Sequence, residues 1–218
     1  MEVKPIQTED GSHSLYVPEL DEHYHSTKGA VQESKHIFID AGLHYLNLDT
    51  IRILEIGFGT GLNAFYTLLE SQNRQLNISY TGLEKYPLKT EITSQLNYPE
   101  LLNHSRLHFD VMHQTKWEEE VNITDTFSLK KIEADLASWS TNEMFDLIYF
   151  DAFGPDKQPE MWTSPIFHLM GKCLNSGGVL VTYSAKGDVR RGFKAAGMEI
   201  QKIPGPPGKK HMTRAIKI

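Results

Sequence analysis

Apolar residues in this chain fall in short runs, and the runs alternate between two periods. Residues 51–54 (IRIL), 78–83 (ISYTGL), 106–111 (RLHFDV), 143–150 (EMFDLIYF) and 179–184 (VLVTYS) are brief and continuous or alternating, which predicts strands. Between them, apolar positions recur at helical spacing over 62–69, 87–96, 161–174 and 188–196, with Asp188 placed as an N-cap. Residues 29–46 carry Val31, Ile37, Phe38 and Leu43 as the buried face of a further helix. Val121, Ile123, Phe127, Leu129 and Ile132 fall largely at alternate positions around a polar turn, predicting a hairpin that extends the sheet. Residues 198–203 and 211–218 close the chain as two strands joined by PGPPGKK, and residues 16–20 read as a short strand or arm. Strand alternating with helix predicts an α/β fold around a mostly parallel, seven-stranded sheet with one antiparallel strand near its end. Residues 1–48 are expected to form an N-terminal extension and helix, and 49–218 the main domain.

Composition narrows the setting. A chain of 218 residues, 39% hydrophobic, builds one core with a small extension. Its one cysteine, Cys173, excludes an intrachain disulfide framework and sits in a predicted helix as a small buried hydrophobe. No run of 18 apolar residues is present, and MEVKPIQTEDGSHS lacks the apolar core of a signal peptide, so a cytoplasmic protein is expected. The net charge of −6 argues against a generally basic nucleic-acid binder, but it is unevenly spread. From Tyr183 onward nine Lys or Arg stand against Asp188 and Glu199, so an acidic body carries a basic end. That suits either a phosphate-rich partner on one face or ordinary solvated surface.

The candidate chemistry begins at IRILEIGFGTGLNAF, residues 51–65, where a strand meets Gly57, Gly59 and Gly61 and then a helix. Such glycines let a ligand touch bare backbone, and the helix start offers free N–H groups. A dinucleotide fingerprint needs a further glycine at position 62, which is leucine. The spacing E-x-G-x-G-x-G instead resembles motif I of the class I S-adenosylmethionine methyltransferases. Glu84 ends the second predicted strand, where a carboxylate can accept hydrogen bonds from ribose hydroxyls. Asp135, followed by Leu136, is preferred over Asp110 to accept from an adenine amino group. Asp151 ends the strand 143–150, at the sheet edge where chemistry sits in open α/β folds. The stretch 21–34, DEHYHSTKGAVQES, reads as a plain loop, a pocket rim or, less readily, a metal site from His23, His25 and Glu33; the spacing matches no strong ligand pattern, and no metal is expected.

Four runs, LEIGFGTGLN, DAFGPDKQPEMWT, VTYSAKGDVRRGFKAAG and PGPPGKKHMTRA, together with YHSTKGAVQES, resemble the family formed by the methyltransferase domain of the bifunctional tRNA-modifying enzyme MnmC and its stand-alone relative MnmD. The resemblance runs from about Tyr16 to the end. It implies a class I, Rossmann-like methyltransferase fold with an inserted hairpin, and S-adenosylmethionine as cofactor. It implies N-methylation of 5-aminomethyl-(2-thio)uridine at the tRNA wobble position. These residues carry no second glycine fingerprint, so the FAD-dependent oxidase activity of the bifunctional enzyme is not expected. The resemblance places Glu55, Phe58, Thr60 and Asn63 with the glycines, Glu84, Asp135 and Leu136 at the cofactor. Asp151 is expected to orient the attacking amine, helped by the neighbouring carbonyls, and secondarily to accept its proton. Tyr24, Ser26, Phe153 and Met161 are expected at the substrate, with Trp162 either there or in the core. Arg190, Arg191, Lys209 and Lys210 are expected on anticodon-arm phosphates. A small-amine transferase resembling spermidine synthase is the alternative.

Overall fold

The computed structural model describes residues 2–218. β1 (Lys4–Gln7), β2 (His13–Val17) and β3 (Glu22–His23) form a small antiparallel sheet. α1 (Ala30–Ser34) continues as a π-helical stretch over Lys35–Asp40, turns at Ala41 and Gly42, and ends in a 3-10 turn at Leu43–Tyr45. The helix expected over 29–46 is therefore three short pieces that keep Ile37, Phe38 and Leu43 buried while Val31 packs against the core from a half-buried position. Next come β4 (Thr50–Ile56), α2 (Leu62–Arg74), β5 (Asn77–Glu84), α3 (Thr90–Thr93), α4 (Tyr98–Leu101) and α5 (Arg106–Gln114). The chain finishes with β6 (Glu120–Thr124), β7 (Phe127–Glu133), β8 (Phe145–Phe150), α6 (Ser164–Cys173), β9 (Leu174–Thr182), α7 (Gly187–Ala195), β10 (Met198–Pro204) and β11 (His211–Lys217).

The main sheet has eight strands in the order β10-β11-β9-β8-β4-β5-β7-β6. β4 lies between β5 and β8 and is parallel to both, so the chain winds outward from β4 in both directions. β11 is antiparallel to β9 and β10, as the pattern predicts. The eighth strand is β6, antiparallel to β7 at the edge. The expected hairpin is thus real, and its second arm, β7, is itself the parallel neighbour of β5.

Two further stretches differ from the sequence reading. Residues 106–111 form the first turns of α5, not a strand. Ser105 caps the helix by accepting from the Leu107 N–H (3.2 Å), and Arg106 reaches Asp110 one turn on (3.4 Å). RLHFDV alternates like a strand, but the buried pair is Phe109 and Met112, three apart, while Leu107 is 64% exposed. The helix expected over 87–96 is only α3; Arg106 donates to Leu96 O (2.8 Å) and Ser94 O (3.1 Å) where it ends, and α4 restarts with Pro99 in its first turn. Asp188 is not the N-cap of α7. It sits inside the first turn and pairs with Arg191.

Alternation along the central strands divides the core. Ile51, Ile53, Leu147, Tyr149, Val179 and Val181 face a cluster shared with α2, α5 and the N-terminal residues Leu15, Ala30 and Phe38. Leu54, Ile56, Ile148, Phe150 and Leu180 face the opposite cluster, built with α6 and α7 and including buried Cys173. A sheet covered on both faces needs such apolar central strands. No helix of the described residues is long and apolar enough to cross a membrane.

The helical register of α5 gives a direct test. Phe109→Ala should destabilise the fold by about 3–5 kcal/mol in urea unfolding. Leu107→Ser should stay within about 0.5 kcal/mol. A strand at 106–111 would bury both side chains and make both changes costly.

Candidate active site

Register places the site. Ile56 is level with Leu83 on one side and with Phe150 on the other, so Gly57, Glu84 and Asp151 emerge together at the carboxyl ends of three adjacent strands. They open into a cavity of about 770 Å³ at the point where the sheet winds in two directions. That is the usual ligand position in such sheets.

One half of the cavity is a backbone cradle. Gly57 has φ +87°, and a Cβ there would stand 2.8 Å from the Asp151 carbonyl oxygen. Gly59 has φ +47°, and a Cβ there would meet the Tyr24 ring at 3.0 Å. Neither position accepts a side chain without strain. Glu84 braces the turn: Oε2 accepts from the Gly59 N–H (3.0 Å) and Oε1 from the Tyr86 N–H (2.8 Å). Burial raises the Glu84 carboxyl above its ordinary range. Beyond it Asp135 pairs with Lys85 (2.7 Å), which lowers the Asp135 carboxyl, and Leu136 supplies a buried apolar floor. Asp110, the rejected alternative, lies on α5 and pairs with Arg106, away from the cavity. A bare backbone turn, a carboxylate 25 residues later and an apolar floor with a flanking acid fit an adenosine-type ligand.

The other half is acidic. Asn63 holds it together: its Nδ2 donates to Glu55 Oε1 (2.9 Å) and to Asp151 Oδ2 (2.9 Å), and its Oδ1 accepts from the Ser34 hydroxyl (2.6 Å). Tyr80 donates to the second oxygen of Glu55 (2.8 Å). Glu55 is fully buried and does not line the cavity; its side chain is held by Tyr80 and braces Asn63. Burial and the nearby Asp151 push the Glu55 carboxyl well up, against the opposing hydrogen bonds from Asn63 and Tyr80. Asp151 is pushed up to about 7, first by desolvation and then by Glu33, with Asn63 and Lys209 acting in the opposite direction. Among the described residues no donor reaches Asp151 Oδ1. The carbonyls beside it are engaged, Ala152 O by the Tyr183 hydroxyl (2.7 Å) and Phe153 O by Trp162 Nε1 (2.8 Å). Oδ1 is therefore the free acceptor at this end.

Tyr24, Ser26, Phe153 and Met161 line the cavity with Phe58, Thr60 and Asn63. Tyr24 meets Phe153 edge to face (centroids 5.2 Å) across the mouth. Behind the cradle, buried His25 contacts Thr60 Oγ1 (2.7 Å) and half-buried His113 contacts Thr60 O (3.1 Å); desolvation lowers each to about 4, so both are neutral wedges. Four expected site residues lie elsewhere besides Glu55. Gly61 turns the chain into α2 and faces His113. Trp162 is core, clamping the Phe153 carbonyl. Arg190 and Arg191 are outside the cavity, the latter held by Asp188.

Lys209 and Lys210 do line it, joined by Lys202 and His211, which the sequence reading did not single out. Glu33 and Tyr183 were also missed as site residues. Glu33 appears in the sequence only as a carboxylate downstream of His23 and His25, and no local pattern points it across the molecule. Among the described residues no group of three or more His, Cys, Asp or Glu is placed to hold a metal.

Comparison with known proteins gives three findings. A family model described as S-adenosyl-L-methionine-dependent methyltransferase matches residues 97–218. The tRNA 5-methylaminomethyl-2-thiouridine biosynthesis bifunctional protein MnmC of Cupriavidus metallidurans is 31% identical over 97% of this chain and 33% of its own length. The chain spans about a third of the length of the curated relatives it matches. Among solved structures, MnmC2 from Aquifex aeolicus superposes with a TM-score of 0.79 at 27% identity, over 98% of this chain and 70% of that one. Spermidine synthase from Thermotoga maritima reaches 0.58 at 14% identity, over 99% of this chain and 72% of its own, a likeness of fold alone.

The raised Asp151 carboxyl has a stability signature. Its folded pKa lies above the ordinary 3.8, so its contribution is fully present below about pH 4 and is lost as pH rises through about 7. Asp151→Asn mimics the protonated form at every pH. Its melting temperature should exceed that of the parent at pH 8 and match it near pH 4; equal differences at both pH values would place the carboxyl at its ordinary value.

Proposed function

The chain belongs to the S-adenosyl-L-methionine-dependent methyltransferases, and on that premise we propose that it methylates the aminomethyl nitrogen of 5-aminomethyl-(2-thio)uridine at the wobble position of tRNA, giving the 5-methylaminomethyl form. The observation that carries this is the asymmetry of the cavity. The end beside the glycine cradle presents Asp151 and Glu22, which suits a cationic amine. The outer rim presents the exposed Lys202 and Lys210, which suits a polyanion bearing that amine. The names of the MnmC relatives support the same substrate.

Gly57, Gly59, Glu84, Asp135 and Leu136 would hold the cofactor, with Phe58, Thr60 and Asn63 around it. S-adenosylmethionine, when bound, supplies an electrophilic methyl group on a sulfonium sulfur. An alkylamine in water is an ammonium, with a pKa near 10 like that of lysine. It has no lone pair to attack with. Asp151 Oδ1 accepts one ammonium proton and leaves a neutral nitrogen oriented at the carboxyl. An acceptor held near neutrality matches this task better than an ordinary aspartate, which is too weak a base. This makes proton acceptance a principal role of Asp151 alongside orientation. Asn63 holds the carboxyl in place by its other oxygen. Tyr24 and Phe153 close the mouth and offer faces on which a flipped base stacks, as base-modifying enzymes require.

Supplied with labelled S-adenosylmethionine and tRNA carrying the aminomethyl group, the protein should place label in a wobble nucleoside. Asp151→Ala should cut turnover roughly 10²-fold or more, the scale of a displaced reactant. Label in small amines instead of tRNA would favour the small-amine transferase alternative, which the acidic end alone also suits.

Binding to tRNA should depend on the rim. Lys202→Ala with Lys210→Ala should flatten the dependence of log K on log salt by roughly 0.7–0.9 per lost phosphate contact. Arg191→Ala should leave the slope unchanged, because Arg191 pairs with Asp188 outside the cavity. Equal effects from both changes would spread tRNA over the whole basic end.

A further inference from the structure

The acidic end holds one ion pair that the methylation reading does not use. Lys209, from the loop between β10 and β11, donates to Glu33 Oε1 (2.8 Å) on α1. The other Glu33 oxygen accepts from the Ser26 N–H (2.7 Å), and Glu33 is only 7% exposed. The same Lys209 ammonium stands 4.1 Å above the Tyr183 ring, whose hydroxyl donates to Ala152 O, next in the chain to Asp151. One contact chain therefore joins the N-terminal segment, the C-terminal loop and the backbone next to the acceptor carboxylate, and it lies in the cavity wall.

We propose that Glu33 and Lys209 are a positioning dyad for the acceptor site, pinning the two ends of the chain around Asp151 and balancing the charge its carboxylate faces. The inference rests on the methylation reading for its purpose, but its physical content is independent of substrate. Asp151 is faced by Glu33 from α1, Glu55 from β4, Tyr80 from β5, Tyr183 after β9 and Lys209 from the last loop, with the neutral Asn63 from α2. Tyr80 and Tyr183 are themselves raised, first by burial, and stay neutral; the buried Glu55 carboxyl, pushed well up, is satisfied by Asn63 and Tyr80. The mobile charges in the balance are then Glu33, which disfavours ionised Asp151, and Lys209, which favours it. Glu33 fixes Lys209 in place, and Lys209 offsets Glu33. With the pair intact, the proton from a substrate ammonium has a carboxylate to move to at neutral pH.

The test is a titration of Asp151 in the unliganded protein. It is followed by infrared spectroscopy of 13C-aspartate-labelled material with the Asp151→Asn spectrum subtracted. Glu33→Gln should lower the midpoint and Lys209→Met should raise it, each by roughly one pH unit, the lower end of what a neighbouring charge imposes. Lys209→Arg should restore the parent value, and the double variant should return close to it. A merely structural tether predicts something else. Loosening the wall in either variant admits water and lowers the midpoint in both. Lys209→Met thus decides the matter: a rise supports the dyad, and a fall or no change overturns it. Because no substrate is present, failure here leaves the tRNA reading standing, and failure to label tRNA leaves the dyad standing.

Discussion

Everything at the reactive end of this molecule hangs on one side-chain amide. Asn63 Nδ2 spends its two hydrogens on two carboxylates, the buried Glu55 and Asp151 in the cavity. Burying two acids within reach of one donor is costly unless they are hydrogen-bonded or neutral. Here Glu55 is satisfied by Asn63 and Tyr80, and Asp151 is held near neutrality with one oxygen tied and one free. The arrangement requires Asn63 to start α2 immediately after the glycine turn, and it requires β4 and β8 to end level. The sheet register supplies the second condition and the left-handed glycines supply the first. The chemistry thus depends on backbone geometry one residue at a time, since a one-residue slip in β8 would turn Asp151 to the other face.

The same site has two electrostatic characters, divided by depth. Inside, carboxylates outnumber the half-buried Lys209, and that lysine is itself paired with Glu33. Outside, lysines on β10 and the loop before β11 meet solvent. A net charge of −6 hides this division, because the basic end offsets only about half the charge of the acidic body. Recognition of a charged amine carried on a polyanion needs both characters within one cavity, in this order from floor to rim.

What the sequence made legible follows from how local each signal is. β4, the glycine turn, α2, β5 and β8 were readable because uninterrupted apolar strands and punctuating glycines are contained within a few residues. Glu84 and Asp151, at the ends of β5 and β8, came with them as cavity-lining positions. α5 was misread because RLHFDV alternates over six residues, too few to separate a two-residue period from a helical one when the decisive partner, Met112, lies just beyond. Glu55 belongs to the motif but does not line the cavity, a distinction made by Tyr80 on a neighbouring strand. Trp162 is core because the Phe153 carbonyl is its partner. Glu33 and Lys209 are separated by 176 positions, and no pattern in one dimension joins them. The failures are therefore at long-range contacts, where the side chain's partner decides its role.

In the proposed reaction Asp151, raised toward neutrality by burial and by Glu33, takes the proton that frees the attacking amine. The most direct test of this step is the pH dependence of kcat/KM for aminomethyl-bearing tRNA, which reports ionisations of the free enzyme. It should rise by about one log unit per pH unit up to a midpoint about 7 and then level off. A profile still rising toward the alkylamine value of about 10, or one flat from mildly acid to alkaline pH, would contradict this role of Asp151.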